Sequence, residues 1–261
     1  MPSYLITGAS RGIGLGYVRQ LSVDQENVIF ALVRDKKDSH ELTALNTPNI
    51  HIVEADITDH QALKRVAEEV AQVTGGSLDV LINNAAYMRS PRGFMTLDEY
   101  TDPELLTADM NEMFNINVIG VVHTINAFLP LLKRGTTKKV VTLTSGLGVP
   151  AITLQSEMDI FGPYSASKAA INVIVAKYAV KFKPEGLLFV ALSPGLVNTA
   201  PAGQQAPPEY MARWGKMLAR FKELNPSFRG ALSVENSVKR QIELINAATL
   251  EQAGTMLSVE F

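Results

Sequence analysis

Seven short apolar runs recur along the chain, and longer amphipathic stretches separate most of them. Short runs rich in valine, isoleucine and leucine are typical of strands that are buried on both faces of a parallel sheet. The predicted strands are residues 4–7, 28–33, 50–53, 80–82, 140–144, 188–192 and 256–259. Apolar residues at helical spacing predict helices over residues 61–73, 110–133, 164–182 and 235–247.

The alternation of strands and helices predicts an α/β fold. Parallel strands need crossover connections, which are usually helices, so this order indicates a doubly wound, Rossmann-type parallel sheet with helices on both faces. No Pro/Gly/Ser-rich linker divides the chain, and residues 1–261 are therefore predicted to form one domain. Two irregular stretches, residues 87–109 and 200–230, follow predicted strand ends. Open α/β sheets bind ligands at that edge, so we expect both stretches to shape a pocket.

The composition excludes several classes of protein. With 261 residues, 46% of them hydrophobic, the chain is long enough for an enzyme, and its formal net charge of -2 gives no broad cationic face for nucleic acid. It has no cysteine and only four scattered histidines, so we predict no metal site. No apolar run approaches the roughly 20 residues that cross a bilayer, and no targeting segment precedes the first strand. We expect a cytoplasmic protein.

The first predicted strand leads directly into the glycine-rich turn Thr-Gly-Ala-Ser-Arg-Gly-Ile-Gly, which opens a helix. Glycines let such a turn close and let its backbone approach a diphosphate, while the helix N-terminus favours negative charge. The turn therefore predicts a dinucleotide-binding loop that contains Thr7, Gly8, Ser10, Arg11, Gly12, Ile13 and Gly14.

Further short motifs follow this turn. They are, in chain order, Asn-Asn-Ala-Ala from Asn83, Asn-Val-Ile-Gly from Asn117, a strand-ending Ser145, Tyr-x-x-x-Lys from Tyr164 to Lys168, and Pro-Gly-x-x-x-Thr from Pro194 to Thr199. A tyrosine and a lysine four residues apart would, alone, equally fit a surface pair on a helix. In this order, however, the motifs resemble those of the short-chain dehydrogenase/reductase family, in its shorter Tyr-x-x-x-Lys type, over nearly the whole chain.

Within that family the sequence is most similar in appearance to C-signal-like and Sniffer-like carbonyl reductases, including fungal ketoreductases. The shared stretches are Ser-Lys-Ala-Ala-Ile-Asn at residues 167–172 and Ser-Val-Glu-Asn-Ser-Val at residues 233–238. Two features depart from the family pattern. Ala86 stands where the family has glycine, and Tyr164 follows Ser145 by 19 residues, a longer spacing than usual. We expect residues 146–163 to form an elaborated loop.

The resemblance implies an active site made of Asn117, Ser145, Tyr164 and Lys168. A free phenol has a pKa of about 10, so acid/base work by Tyr164 near neutral pH requires a shift of roughly three units, toward which Lys168 would supply a cation. Ser145 would hydrogen-bond the substrate oxygen. Asn117 would hold a water that links Lys168 to solvent. A helix kink with a side-chain-to-backbone bond is the alternative for Asn117, and the two are compatible.

The identity of the cofactor depends on the end of the second predicted strand. Arg34 lies there, where NAD-selective folds usually place an acid. Together with Arg11 it suits the 2′-phosphate of NADPH through charge-assisted bonds, so NADP(H) is predicted over NAD(H). In the alternative, Asp35 binds the ribose hydroxyl and both arginines are solvated.

Further cofactor contacts follow from the resemblance. Asp56 and Ile57 resemble the adenine contact of the family, and a helix cap at Asp56 or Thr58 is the alternative. The remaining implied contacts are Asn83, Ala85, Tyr164, Lys168, Pro194, Gly195, Val197 and Thr199.

Residues 209–229 form an insert relative to the similar reductases, within the stretch 200–230. Its apolar side chains recur at helical spacing. This pattern fits a lid over an apolar substrate, and it fits equally well a helix that packs on the body or on another subunit. The predicted substrate contacts are Met88, Leu147, Tyr210 and Trp214.

Together these observations predict an NADPH-dependent reductase of a ketone or aldehyde on a bulky, hydrophobic or secondary-metabolite substrate. The resemblance implies transfer of the pro-S hydride, with Tyr164 as proton donor. Two alternatives are a protein that senses NADP without turnover and a cyclase or isomerase derived from the same family. Apolar residues on several faces of helices 110–133 and 164–182 predict a homodimer or homotetramer.

Overall fold

A parallel sheet of seven strands forms the centre of the computed structural model, which describes residues 1–88, 92–199 and 208–259, with the side chains of residues 208–210 left out. The strand order is β3-β2-β1-β4-β5-β6-β7. The strands are β1 (Ser3–Thr7), β2 (Val28–Val33), β3 (Ile50–Glu54), β4 (Val80–Asn83), β5 (Lys139–Leu143), β6 (Leu188–Ser193) and β7 (Met256–Ser258). Each bound lies within one residue of its prediction, and the predicted doubly wound sheet is confirmed.

Helices connect most of the strands. The α-helices are α1 (Gly12–Leu21), α2 (His40–Thr43), α3 (His60–Thr74), α4 (Pro103–Phe114), α5 (Val121–Leu132), α6 (Pro150–Ser156), α7 (Gly162–Phe182), α8 (Pro208–Leu224) and α9 (Val234–Ala247). A π-helix, Asn115–Gly120, joins α4 to α5. Short 3-10 helices span Arg92–Phe94, Leu97–Glu99, Gly146–Gly148, Lys183–Glu185 and Leu250–Gln252.

The hydrophobic core has one layer on each face of the sheet. Successive residues of a strand point to opposite faces, so Leu5 belongs to one layer and Ile6 to the other. The first layer is covered by α3, α5 and α7, and the second by α1 and α9. Because both faces are covered, the strands can be apolar at every position, which explains the uniform apolar runs in the sequence.

The helix predicted over residues 110–133 begins earlier than expected. Asp102 caps it, since the Asp102 carboxylate accepts a hydrogen bond of 2.9 Å from the Glu104 amide, and Pro103 occupies the first turn. Part of the stretch predicted to be irregular, residues 87–109, is therefore helical. The expectation that residues 146–163 form a loop was likewise wrong, because that region contains a 3-10 turn, α6 and the start of α7.

The continuous helix Pro103–Leu132 is long and apolar enough to cross a membrane by length and composition alone. The prediction that no segment could cross a bilayer considered only uninterrupted apolar runs, and it therefore missed this helix. Half of its most apolar window is buried, and the helix packs on α3 and α7. Core helices of water-soluble proteins pass the same test of length and composition.

Candidate active site

The glycine-rich loop between β1 and α1 is closed by contacts that only glycine permits. Gly8 and Gly12 have positive φ angles of 67° and 56°. A Cβ atom on Gly14 would lie 2.2 Å from the carbonyl oxygen of Gly8. Arg11 occupies the N-cap position of α1 in extended conformation, and its side chain makes no capping hydrogen bond to the first amides of the helix. The loop and helix end thus fit the diphosphate of a dinucleotide.

Asn84, which was not among the predicted site residues, fixes this loop to the neighbouring strand. Its Nδ2 donates to the carbonyl oxygens of Thr7 at 2.8 Å and Gly8 at 3.1 Å. In return, Thr7 Oγ1 accepts from the amides of Asn84 and Ala85 at 3.0 and 2.9 Å. The second asparagine of the Asn-Asn-Ala-Ala motif was the available signal for this role.

Asn83, the first asparagine of that motif, has one satisfied and one unsatisfied group. Its Nδ2 donates to Thr142 Oγ1 at 3.2 Å. Its Oδ1 is buried and has no hydrogen-bond partner within the described part of the chain. A buried acceptor of this kind is one that a donor from a bound ligand or water would satisfy.

The arginines predicted to select NADPH are both exposed. Arg34 follows the last residue of β2, and Arg11 lies in the glycine-rich loop. Neither forms an ion pair with any residue that the structure describes. Asp35 instead holds its own turn, because its Oδ1 accepts from the Lys37 amide at 2.8 Å. The two guanidinium groups are thus available to an anion.

The helix cap considered for Asp56 or Thr58 was wrong. Asp59 caps α3, with Oδ1 accepting from the Gln61 amide at 2.9 Å and the Ala62 amide at 3.0 Å. Asp56 forms a local turn instead, with Oδ1 accepting from the Thr58 amide and hydroxyl at 2.8 and 2.7 Å.

Ile57 is buried against the π-helix. A Cβ atom on Gly120 would lie 2.9 Å from Ile57 Cδ1, so the glycine of the Asn-Val-Ile-Gly motif makes room for Ile57. The adenine contact assigned to Asp56 and Ile57 remains a prediction.

The Ser145 hydroxyl lies near the Tyr164 phenol, whose pKa it lowers. Ser145 lies two residues after β5, and its Oγ accepts from the Leu147 amide at 3.2 Å. Tyr164 lies in the first turn of α7. The 3-10 turn after Ser145 packs closely on this helix, since a Cβ atom on Gly148 would lie 2.7 Å from the backbone of Lys168. This close packing brings the serine and the tyrosine together.

Lys168 is buried beside Tyr164. Its Nζ donates to the carbonyl oxygen of Leu143 at 2.8 Å and lies 5.6 Å from the centre of the Tyr164 ring. Burial lowers the pKa of Lys168 to about 8. Burial also raises the pKa of Tyr164 to about 12, against a smaller opposing effect of the Ser145 hydroxyl. The downward shift expected for Tyr164 is therefore not present here, because its desolvation dominates.

Asn117 lies in the π-helix and connects it to Tyr87, in the segment that follows β4. Its Oδ1 accepts from the Tyr87 amide at 2.7 Å, and its Nδ2 donates to the Tyr87 carbonyl at 2.9 Å. The helix irregularity and the side-chain-to-backbone bonds are thus both present. Nδ2 also donates to Ser167 Oγ at 3.0 Å, and that hydroxyl donates to the Tyr164 carbonyl at 2.7 Å. Ser167, inside the Tyr-x-x-x-Lys motif, was not predicted to take part.

The predicted cofactor contacts at Pro194–Thr199 form a loop after β6. Gly195 has a positive φ of 76°. Val197 forms a parallel bridge with Leu232. Thr199 lies next to the glycine-rich loop, since a Cβ atom on Gly12 would lie 3.6 Å from its Cγ2. The loop therefore borders the same cleft as the glycine-rich loop.

A third apolar cluster, here called the aromatic cluster, adjoins Tyr164. The Phe94 ring lies 5.0 Å from that of Phe161 and 6.1 Å from that of Trp214, between centres. The cluster consists of the buried residues Phe94, Met158, Ile160, Phe161, Met217 and Phe221, with the partly buried residues Leu147, Tyr164, Leu196, Trp214, Leu218 and Phe228 packed against them.

The four predicted substrate contacts have different outcomes. Leu147 and Trp214 belong to the aromatic cluster with Tyr164. Met88 is 46% exposed and does not. The side chain of Tyr210 lies outside the described residues, as do residues 200–207 of the predicted lid.

Helix α8, which contains most of the insert, packs on the body of the protein. Arg213 forms a bidentate ion pair with Glu99 and donates to the Phe94 carbonyl at 2.6 Å. The hydrogen bond from Arg213 lowers the pKa of Glu99 to about 2. Further along the helix, Arg220 pairs with Glu157 at 3.0 Å. Helix α8 thus packs on the body of the protein and also places side chains beside Tyr164.

Comparisons with known proteins identify the family. The family model described as short chain dehydrogenase matches residues 3–209. The short-chain dehydrogenase/reductase AacuF of Aspergillus aculeatus is 42% identical, over 97% of this chain and 95% of that protein. The short chain dehydrogenase virK of Hypocrea virens is 41% identical, over 96% of this chain and 94% of that protein.

Solved structures agree. An NADPH-bound carbonyl reductase from chicken fatty liver superposes with a TM-score of 0.80 at 27% identity, over 99% of this chain and 96% of that one. The carbonyl reductase Sniffer of D. melanogaster shares the fold, with a TM-score of 0.78 at 24% identity over 99% and 97% of the two chains. The predicted resemblance is confirmed, and the chain belongs to the short-chain dehydrogenase/reductase family of oxidoreductases, whose members use nicotinamide cofactors and act on small molecules.

Proposed function

We propose that this protein is an NADPH-dependent carbonyl reductase. The observation that carries the proposal is that Tyr164 lies between Ser145, which lowers its pKa, and the buried Lys168, whose Nζ is 5.6 Å from the centre of the tyrosine ring, at the carboxyl edge of the sheet. NADPH supplies a hydride when it is bound. Tyr164 donates the proton that completes the alcohol, and Ser145 holds the carbonyl oxygen of the substrate.

The pKa values of the site suit the proton transfer that reduction requires. Reduction of a carbonyl consumes a proton, so the acid must be protonated at the start of the step. Burial raises the pKa of Tyr164 to about 12, which keeps its phenol protonated throughout the ordinary pH range. Burial lowers the pKa of Lys168 to about 8, which places that ammonium near the range where it can exchange a proton. Lys168 thus replaces the proton that Tyr164 loses. Asn117 holds the water through which Lys168 regains a proton from solvent.

The choice of NADPH over NADH rests on Arg11 and Arg34. Both are exposed beside the dinucleotide cleft, and Asp35 is engaged in its own turn. A guanidinium binds a phosphate through charge-assisted hydrogen bonds. The NADPH-bound state of the chicken carbonyl reductase supports the same choice.

The aromatic cluster supports a bulky substrate with rings. Phe94, Phe161 and Trp214 form a set of adjacent rings, and Tyr164 packs against the same cluster. Aromatic rings favour stacked or edge-to-face contact with other rings, so the partly buried Trp214 and Tyr164 at the edge of this cluster suit a hydrophobic, ring-containing ketone or aldehyde such as a secondary metabolite.

The proposed enzyme acts as a homodimer or homotetramer in the cytoplasm. Exposed apolar side chains lie on two adjacent helices, with Ile119 45%, Val173 58% and Val180 80% exposed. Burial of such residues in a symmetric helix-to-helix interface is the simplest arrangement that removes them from water. Sedimentation that shows only a monomer at micromolar concentration would contradict this assembly.

The proposed activity is tested by the loss of absorbance at 340 nm when NADPH and carbonyl compounds of increasing ring number are mixed with the protein. We expect turnover that is faster with NADPH than with NADH and that rises from one ring to several. Tight NADPH binding without turnover of any compound would instead favour a sensing protein, and a rearranged product without NADPH consumption would favour a cyclase or isomerase.

A further inference from the structure

A buried chain of hydrogen bonds runs from α1 to the loop after β6. The Tyr17 hydroxyl donates to Gln241 Oε1 at 2.7 Å, and Gln241 Nε2 donates to Ser237 Oγ at 2.8 Å. The Ser237 hydroxyl in turn donates to the carbonyl oxygen of Pro194 at 2.8 Å. Tyr17, Ser237 and Gln241 are each 0% exposed. Apolar side chains would fill this space without the desolvation of three polar groups. These hydrogen bonds therefore form a specific link between α1 and the loop after β6, which packing alone would not require.

The Ser-Val-Glu-Asn-Ser-Val motif places α9 directly on α1. Ser233 caps α9, because its Oγ accepts from the Asn236 amide at 3.1 Å. Val234 and Val238 lie over Gly16, where a Cβ atom would be 2.6 Å from Val234 Cγ1 and 3.0 Å from Val238 Cγ2. The second serine of the motif, Ser237, is thereby directed toward Pro194. Each of these motif positions thus has a contact that depends on its residue type.

The same segment holds the loop at a second place. The Leu232 amide donates to the Leu196 carbonyl at 2.8 Å, and the Asn198 amide donates to the Leu232 carbonyl at 3.0 Å. The start of the loop is therefore fixed by Ser237 and its middle by Leu232. Both attachments come from residues 232–237, which connect rigidly to α1 through α9.

We propose that Ser237 is a positioning residue for the nicotinamide half of the cofactor. Through the Pro194 carbonyl it fixes the loop 194–199, and through Gln241 and Tyr17 it fixes that loop relative to the helix at the diphosphate. The two halves of the dinucleotide site are thus held at a set distance by α9. This inference rests on the proposed function, which assigns both loops to the dinucleotide.

The test compares two ligands on Ser237→Ala. One is NADPH, and the other is adenosine 2′,5′-bisphosphate, which has the adenine end but no nicotinamide. The variant loses both bonds of the Ser237 hydroxyl, and because the bond to the Pro194 carbonyl holds the loop, we expect the Kd for NADPH to rise about fivefold to tenfold, with kcat reduced as well. The Kd for the bisphosphate should stay within about twofold of wild type, since Ser237 does not contact the adenine side. A serine that only stabilised the fold would change both values or neither.

Ser233→Ala is the matched control. It removes the cap of the same helix, which lowers Tm, but leaves the bond to Pro194 in place. We expect both Kd values to remain at the wild-type level for this variant. If Ser233→Ala also lost affinity for NADPH but not for the bisphosphate, any weakening of α9 would produce the loss. That result would overturn the positioning role of Ser237.

Ser237→Cys provides a second variant if the alanine protein does not fold. A thiol fills similar space but is a weak donor, so the same selective loss of NADPH affinity is expected. The chain has no other cysteine, so thiol labelling reports directly whether the site stays closed. An unchanged Kd for NADPH in a folded Ser237 variant would overturn the inference alone. A wild-type protein that binds neither NADPH nor NADH would overturn the proposed function, and the inference with it.

Discussion

The cofactor side and the substrate side of the site are held by different kinds of contact. On the cofactor side, Gly14 approaches the Gly8 carbonyl and Asn84 joins the loop to its neighbouring strand, so backbone atoms determine the geometry. On the substrate side, the ion pair of Arg213 with Glu99 and the tilted contact of the Phe94 and Phe161 rings hold separate segments together. The cofactor side is thus built from residues of short sequence motifs, including Asn84 and Thr7, which lie 77 residues apart, whereas the substrate side depends on side-chain pairs outside any motif.

Phe161 shows the difference most clearly. It has a positive φ of 61°, an uncommon conformation for an aromatic residue. Its amide donates to the Gly93 carbonyl at 2.7 Å, and its ring packs on Phe94. The residue directly before α7 is therefore held in a less favourable backbone conformation by the substrate side, three positions from Tyr164. The aromatic cluster and the proton donor are linked through this residue.

The largest expected effect separates chemistry from binding. Tyr164→Phe removes the proton donor but little else, so kcat should fall by about 100-fold or more while the Kd for NADPH stays near wild type. Single-turnover kinetics and fluorescence titration measure the two values. A variant that kept more than a few per cent of the wild-type rate would show that Tyr164 is not the acid.

The cofactor side is tested next by reversing one charge. In Arg34→Asp, the 2′-phosphate of NADPH would meet a carboxylate, so we expect the Kd for NADPH to rise about 10-fold to 100-fold and the Kd for NADH to change much less. Asp35→Asn is the control, because its carboxylate holds only the local turn. If Asp35→Asn weakened NADH and the wild-type protein preferred NADH, the ribose-hydroxyl alternative would be correct.

The substrate side should respond to a change in the aromatic cluster. Trp214→Ala removes one ring, and we expect kcat/KM for ring-containing ketones to fall about tenfold, with small aldehydes and the Kd for NADPH unaffected. Met211→Ala, at a residue of the same helix that is 48% exposed, is the control and should change neither. Equal losses for large and small substrates would indicate a structural role for Trp214.

The smallest expected effect lies at the opposite edge of the sheet. Burial raises the pKa of Asp79, but hydrogen bonds from Thr136, Ser3 and Thr137 outweigh it and hold the pKa at about 2. Because the folded pKa is below the unfolded value of about 3.9, this stabilisation is complete above about pH 4 and is lost as pH falls toward 2. Asp79→Asn should therefore be less stable than wild type at pH 7, and the difference should shrink in acid. Urea unfolding at pH 7 and pH 3 measures it, and activity per folded molecule should not change.

Sequence patterns could predict most of the sheet and the cofactor loop because both depend on local regularities. Apolar runs predicted the seven strands that the structure describes. The glycine spacing from Thr7 to Gly14 predicted a loop that only glycines can close. The pairing of Arg213 with Glu99, 114 residues apart, left no local signal because an arginine on the polar face of an amphipathic helix has the same sequence pattern with or without a partner. The start of α4 was missed although Asp102 and Pro103 are typical cap residues, since proline was interpreted as a loop signal. The rise in the pKa of Tyr164 depends on burial, which no spacing reveals.

The most direct test of the whole account follows a labelled hydride. Wild-type protein is incubated with NADPH carrying deuterium at the pro-S position of nicotinamide C4 and with a ring-containing ketone, and the alcohol is analysed by mass spectrometry. We expect an alcohol one mass unit heavier, with the deuterium on the carbinol carbon and with formation strongly reduced in Tyr164→Phe. Oxidation of NADPH without deuterium in the alcohol, or no alcohol with any ketone that binds, would contradict it.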